Sequence, residues 1–158
     1  MDRPKLTAQR MEVAIAQLIN FRSHVMVPNV SWGLGLRHEC DILVLDSKGR
    51  FTEVEIKISK SDLLKDLEKK HGHRSEFISR LIYAVPHELI GVVECNMAQG
   101  VGIISVKWSD RLGRYYAEHH RVAKHGIGKK PTQEIKMKFM ELGCMRIWSL
   151  KSHLIKSK

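Results

Sequence analysis

Apolar positions along this chain change period from segment to segment, and each period predicts an element. Residues 8–20 carry Met11, Ala14, Ile15 and Leu18 at helical spacing, with Thr7 placed to cap the first turn. Residues 24–32 (HVMVPNVSW) read as a strand in which Pro28 marks an edge position or a bulge. A Gly-containing bend leads into RHECDILVLD (37–46), a segment of strong β character. DSKGR turns the chain, and FTEVEIKI (51–58) returns to complete a hairpin. Ser59 and Asp62 have the S-x-x-D spacing of a capping box. The helix behind them, to about residue 70, is expected to bury Leu63, Leu64 and Leu67, with Gly72 as its left-handed cap. RLIYAV (80–85) is a nearly continuous apolar run, as in a strand covered on both faces, and it ends at Pro86. PHELIGVVECNM predicts another helix, GVGIISVKW a strand, and YYAEHHRVA a further one. From Pro131 a helical pattern through Ile135, Phe139 and Leu142 continues toward the end and weakens at Gly143. The order is α-β-β-β-α-β followed by mixed elements, an α/β protein without internal repeats.

Composition narrows the class. At 158 residues with 43% hydrophobic positions, the chain can bury a core without disulfides, and 28% charged residues fit neither a disordered nor a fibrous chain. The longest stretch without charge, residues 95–106, is too short to cross a bilayer, so no membrane partner is expected. The start, MDRPKLTAQR, has no apolar run of the secretory type. Cys40, Cys95 and Cys144 lie far apart without a CxxC pair, which predicts a reducing, cytoplasmic setting.

The distribution of the +10 net charge says more than its size. Residues 1–106 hold 14 Lys/Arg against 13 Asp/Glu, and residues 107–158 hold 13 against 4. The chain therefore divides into a nearly neutral part, 1–106, and a basic C-terminal extension, 107–158, expected to pack on the same single domain. A field this lopsided attracts polyanions, and phosphate backbones are the usual target. A solubilising tail and a surface for an acidic protein partner are the alternatives. Nucleic acid is favoured because the first part carries a candidate phosphodiester site.

That site lies in the hairpin. Alternation puts Glu53, Glu55 and Lys57 on one face of FTEVEIKI and Val54, Ile56 and Ile58 on the other. If Leu45 faces Phe51 across the turn, Asp41 stands opposite Glu55, with Cβ atoms roughly 5 Å apart. Like charges in that position destabilise a sheet, and a divalent cation held by hard oxygen ligands would offset them. The alternative is an ordinary half-exposed strand in which Lys57 neutralises the pair and Glu39 is surface charge. An acid opening a buried strand favours the first reading, because Asp is depleted from strands.

Asp41, thirteen intervening residues and Glu55-Ile56-Lys57 resemble the signature of the PD-(D/E)xK nuclease superfamily. EVEIKISKSDLLKDLEKKH followed by RLIYAVP is similar to the MmcB-like group of DNA-repair endonucleases within it, a group with related short proteins in phages. The resemblance spans residues 8–90. It implies a restriction-endonuclease-like core with a central mixed sheet flanked by helices, and Mg²⁺- or Mn²⁺-dependent hydrolysis of phosphodiesters, with DNA favoured over RNA. Asp41 and Glu55 would hold the metal with the Ile56 carbonyl, and Lys57 would hold the attacking water. Glu12 stands where many members place an acid on the first helix, or is a solvated helix residue. Cys40 replaces the proline of the family name. Glu39 and Glu53 are extra acids, either supporting groups or surface charge. Many members dimerise, so a homodimer is compatible.

Around the motif, Arg37, Lys60, Lys65 and Lys69 are candidates for backbone phosphate, as are Lys129 and Lys130 after GIG; a solvated face, with Asp66 pairing Lys70, is the alternative for the helix. Trp32, Trp108, Trp148, Tyr115 and Tyr116 could stack on bases or pack in the core. His71 and His73 suit a helix end, and adjacent His119 and His120 cannot share one ion. With no cysteine pair near a histidine, zinc is not expected. Two functions compete: a metal-dependent endonuclease, and a catalytically inactive nucleic-acid-binding module on the same fold.

Overall fold

In the computed structural model, which describes residues 3–31, 34–36, 38–67 and 75–156, the local signals act where the sequence places them. The Thr7 hydroxyl accepts from the Arg10 N–H at 3.3 Å and opens α1 (Ala8–Ile19). Then follow β1 (Val25–Val30), β2 (Cys40–Leu45), β3 (Phe51–Ile56), α2 (Lys60–Leu67) and β4 (Ile78–Pro86). A 3-10 turn (His87–Leu89) leads into α3 (Ile90–Asn96), and β5 (Gly102–Ser109), β6 (Arg114–Arg121) and α4 (Gln133–Lys156) complete the chain.

The strands form one six-stranded mixed sheet in sequence order. β1, β2 and β3 run antiparallel, α2 and α3 make the crossovers to parallel β4 and β5, and β6 returns antiparallel. Pro28 sits on the edge strand β1, where its missing N–H costs no ladder bond. The β2–β3 register is set by its turn. Asp46 accepts from the N–H groups of Lys48 and Arg50, each at 2.9 Å, and Gly49 takes the left-handed φ of 72°.

Both faces are covered, which explains why all six residues of β3 are buried. On one face α1 lays Met11, Ala14 and Ile15 over Ile42, Val44, Val54 and Ile56. On the other, Phe139 of α4 meets Phe51 edge-on at 5.0 Å beside Leu43 and Leu45. Leu63, Ile90 and Val93 pack there with Tyr83, Val85 and Ile103. The basic third is therefore interleaved with the core through β6 and Phe139. Among the described residues no helix is long and apolar enough to cross a membrane.

Three expectations change. Leu64 is exposed, because Leu63 takes the inward position and Asp66, one turn on, shares that face. The segment after Pro86 begins as a 3-10 turn before it becomes helical. α4 runs unbroken through Gly143, where a Cβ would come within 3.2 Å of Val27 Cγ2, so this glycine marks a close crossing over β1 and not a break. The GIG segment is likewise structural. Gly126 and Lys129 donate their N–H groups to the Ser79 and Glu76 carbonyls, and a Cβ on Gly128 would collide with the Ile78 carbonyl. Gly72 and the Leu67 side chain lie outside the described residues.

Ser59 caps α2 by accepting from the Asp62 N–H at 3.2 Å. Ser59→Ala is expected to cost about 1 kcal/mol in urea unfolding, because it removes the capping bond and an exposed contact with the Ser61 hydroxyl but nothing buried.

Candidate active site

The β2–β3 ladder pairs Leu45 with Phe51 and Ile42 with Val54, so the next step brings Asp41 to Glu55. There the ladder gives way to a side chain: the Ile56 N–H donates to Asp41 Oδ2 at 2.7 Å. Lys57 continues along β4 by donating its N–H to the Ala84 carbonyl at 3.0 Å. Its buried ammonium lies 2.8 Å from Glu55 Oε2 and 3.3 Å from Asp66 Oδ1. The Tyr83 hydroxyl, from the strand position beside Glu55, donates to Asp66 Oδ2 at 2.5 Å. Asp41, Glu55 and Lys57 thus converge where β2 begins and β3 ends, under α2.

The electrostatics follow from burial. Burial raises the Asp41 carboxyl above its ordinary value, against the opposing pull of the Ile56 N–H and Lys57. Burial, reinforced by the Asp41 charge and only partly offset by Lys57, pushes the Glu55 carboxyl up to about 7. For Lys57 burial acts in the opposite sense, but Glu55, Asp66 and Asp41 outweigh it and hold the ammonium above the ordinary lysine value. Half-buried Glu12 is raised by burial and then by the Asp41 charge, so α1 brings it within electrostatic reach of the site. The donor set, buried Glu55 and half-buried Asp41 beside the main-chain oxygen of Ile56, is oxygen-only and suits a hard divalent cation.

Two members of this network, Asp66 and Tyr83, have no counterpart in the motif. Asp66 is buried against Lys57 and Tyr83 and is therefore not a surface acid, and the Lys70 expected to pair with it lies outside the described residues. Its place three residues after Leu63 was the available signal: the inward face of α2 carries an acid. Glu53 is fully buried and bonded to His38, so it is no surface charge, whereas Glu39 is exposed.

The basic candidates separate. Lys60 and Lys65 are exposed on α2, the helix that supplies Asp66. Lys129 and Lys130 are exposed beside residues 76–79, at the start of β4, and Lys129 pairs with Glu76 at 3.0 Å. That is the opposite end of β3 and β4 from Glu55, about 17 Å along the strands at ~3.3 Å per residue. Arg37, Lys69, Lys70, His71, His73 and Trp32 lie outside the described residues. Trp108 and Tyr115 pack edge to face at 5.2 Å against the core, with the Tyr115 hydroxyl donating to the Pro4 carbonyl at 2.7 Å. Trp148 is exposed, with Lys151 over its ring. Tyr116 lies beneath Lys107, and His120 pairs with Glu94.

No family model and no curated protein matches the chain. Among solved structures, the chain is similar to the SPO1766 protein of unknown function from Silicibacter pomeroyi. The TM-score is 0.66 at 18% identity, over 96% of this chain and 93% of that one. The likeness is one of fold.

Proposed function

We propose that this protein is a metal-dependent nuclease that hydrolyses DNA phosphodiester bonds, in DNA repair or phage DNA metabolism as the resemblance to the MmcB-like group implies. The observation that carries the reading is the meeting of Asp41, Glu55 and Lys57 at one end of a buried hairpin, with Asp41 anchored on the Ile56 N–H and Lys57 within 3.3 Å of two carboxylates. Mg²⁺ or Mn²⁺ would be held by Asp41, Glu55 and the Ile56 carbonyl, where it would lower the pKa of a water and neutralise the scissile phosphate. Glu12 would contribute its charge from α1.

The chain's own groups supply the rest. Asp66, fixed by the Tyr83 hydroxyl, holds the Lys57 ammonium beside Glu55. From there Lys57 orients the attacking water and offsets charge growing on the phosphoryl oxygens. Lys60 and Lys65 would take backbone phosphates on the exposed side of α2. Free cysteines at positions 40, 95 and 144 are compatible with a reducing cytoplasm.

The test is cleavage of supercoiled plasmid and short oligonucleotides with Mg²⁺ or Mn²⁺ by wild type, Asp41→Asn and Glu55→Gln. Nicking by wild type that disappears in both variants, at unchanged far-ultraviolet circular dichroism, is the expected result. Cleavage persisting in both removes the site assignment. Salt-sensitive DNA binding without any cleavage by wild type would favour the inactive binding module.

A further inference from the structure

A second cluster of ligand-type side chains lies beside the carboxylate pair and takes no part in the chemistry above. Cys40 opens β2 and Glu53 occupies the middle of β3, both fully buried, while His38 stands two residues before Cys40 with a mostly buried ring. His38 Nε2 lies 2.6 Å from Glu53 Oε1 and 3.7 Å from Cys40 Sγ, and the three ligand atoms all fall within 4.8 Å of one another. The backbone explains the meeting. The alternation that sends Ile42 and Val44 toward α1 does not extend to Cys40, which packs instead with Leu43 and Leu45 on the Glu53 side.

The geometry points to a transition-metal site formed by His38, Cys40 and Glu53, fitted to Zn²⁺ and distinct from the Asp41–Glu55 pair. A tetrahedral zinc ion, with nitrogen and oxygen at about 2.0–2.2 Å and sulfur at about 2.3 Å, spaces its donor atoms roughly 3.3–3.6 Å apart. At 3.7 Å the sulfur–nitrogen separation lies just beyond that spacing. The histidine–carboxylate contact needs to open by less than ~1 Å to admit the ion. Donor chemistry separates this cluster from its neighbour: one imidazole, one sulfur and one carboxylate select a borderline-soft ion, whereas the oxygen-only set at Asp41 and Glu55 selects a hard one. Three protein ligands leave a fourth position for water or a further group. An ion here would tie the start of β2 to the middle of β3, one residue from Asp41 and two from Glu55. It would steady the catalytic carboxylates without touching substrate. The assignment does not depend on the nuclease reading.

The test uses the untagged full chain carrying Cys95→Ser and Cys144→Ser, which removes the two exposed thiols. After EDTA treatment and dialysis it is titrated with Co²⁺ and then with Zn²⁺. The expected result is about one equivalent of Co²⁺ with a thiolate-to-cobalt charge-transfer band in the near ultraviolet, bleached by stoichiometric Zn²⁺. Adding Cys40→Ser abolishes the band, and His38→Gln lowers Co²⁺ affinity at least tenfold. Glu55→Gln keeps both band and stoichiometry, which separates this site from the carboxylate pair. Absence of the band in the folded parent, or its persistence after Cys40→Ser, overturns the proposal and leaves a histidine–glutamate hydrogen bond beside a buried thiol. If Cys40→Ser does not fold, His38→Gln decides: unchanged Co²⁺ affinity overturns the proposal.

Discussion

Lys57→Met is expected to lower plasmid cleavage by about 10²–10³-fold, since it removes the cation held beside Glu55, where it would meet charge developing on the phosphoryl oxygens. The same change tests the fold. The Lys57 side chain is 6% exposed and sits between Glu55 and Asp66, so methionine keeps the stem but leaves two buried carboxylates without their ammonium. Breaking a buried pair from one side costs about 3–5 kcal/mol. The loss should be smaller at pH 6 than at pH 8, because Glu55, already pushed up to about 7, can take a proton where the lysine charge is missing. Urea unfolding at the two pH values measures this directly. Cleavage rates taken well below the variant's melting temperature separate lost chemistry from lost structure. Lys57→Arg should not restore the rate, since a planar guanidinium cannot occupy the point position held between the two acids. Full cleavage by Lys57→Met would remove the lysine from the mechanism, and a loss below ~1 kcal/mol at pH 8 would show that the network does not hold the hairpin end together.

How far the sequence reaches is visible at the same spot. The turn DSKGR and the alternation on either side of it are local, so the Leu45–Phe51 pairing, and with it the approach of Asp41 to Glu55, follows from a handful of adjacent residues. The caps at Thr7 and Ser59 are legible for the same reason. Asp66, Tyr83 and His38 are not. Each acquires its partner through packing between elements distant along the chain or through a change of side at a strand end, and no period in the sequence carries that information. Asp66 reads as one acid among the lysines of a solvated helix until α2 is laid against β4. The proposed zinc site turns on a similar point: the sequence reading looks for a second cysteine near a histidine, whereas the cluster at His38 and Cys40 is completed by a carboxylate from the adjacent strand. Lys129 and Lys130 show what the glycines before them do. Their charge is real, but the glycines before them serve a close approach to the Ile78 and Ser79 backbone, which directs the lysines to the far end of the sheet.

A pH profile of stability gives the second large effect, and its sign can be worked out in advance. Glu55 has an ordinary carboxyl value of 4.5 when unfolded and one of about 7 when folded. Between these values the folded protein keeps a proton that the unfolded chain has released, so the native state binds more protons and stability falls as pH rises. The contribution is fully present below about pH 4.5 and is lost by about pH 7, a change of about 3 kcal/mol for that separation. Glu55→Gln has no such proton to lose. Asp41 and Glu12 are raised as well and impose their own slope on both proteins, so the informative quantity is the difference between wild type and variant. Measured in EDTA, that difference should shift in favour of Glu55→Gln by about 2–3 kcal/mol from pH 5 to pH 8. Adding millimolar Mg²⁺ at pH 8 should then stabilise wild type and leave the variant nearly unchanged, because the cation replaces the proton as the counter-charge that buried Glu55 and half-buried Asp41 require together. Parallel profiles for the two proteins would mean that Glu55 is ionised throughout, already satisfied by Lys57, with no charge left over to draw a metal to this end of the hairpin.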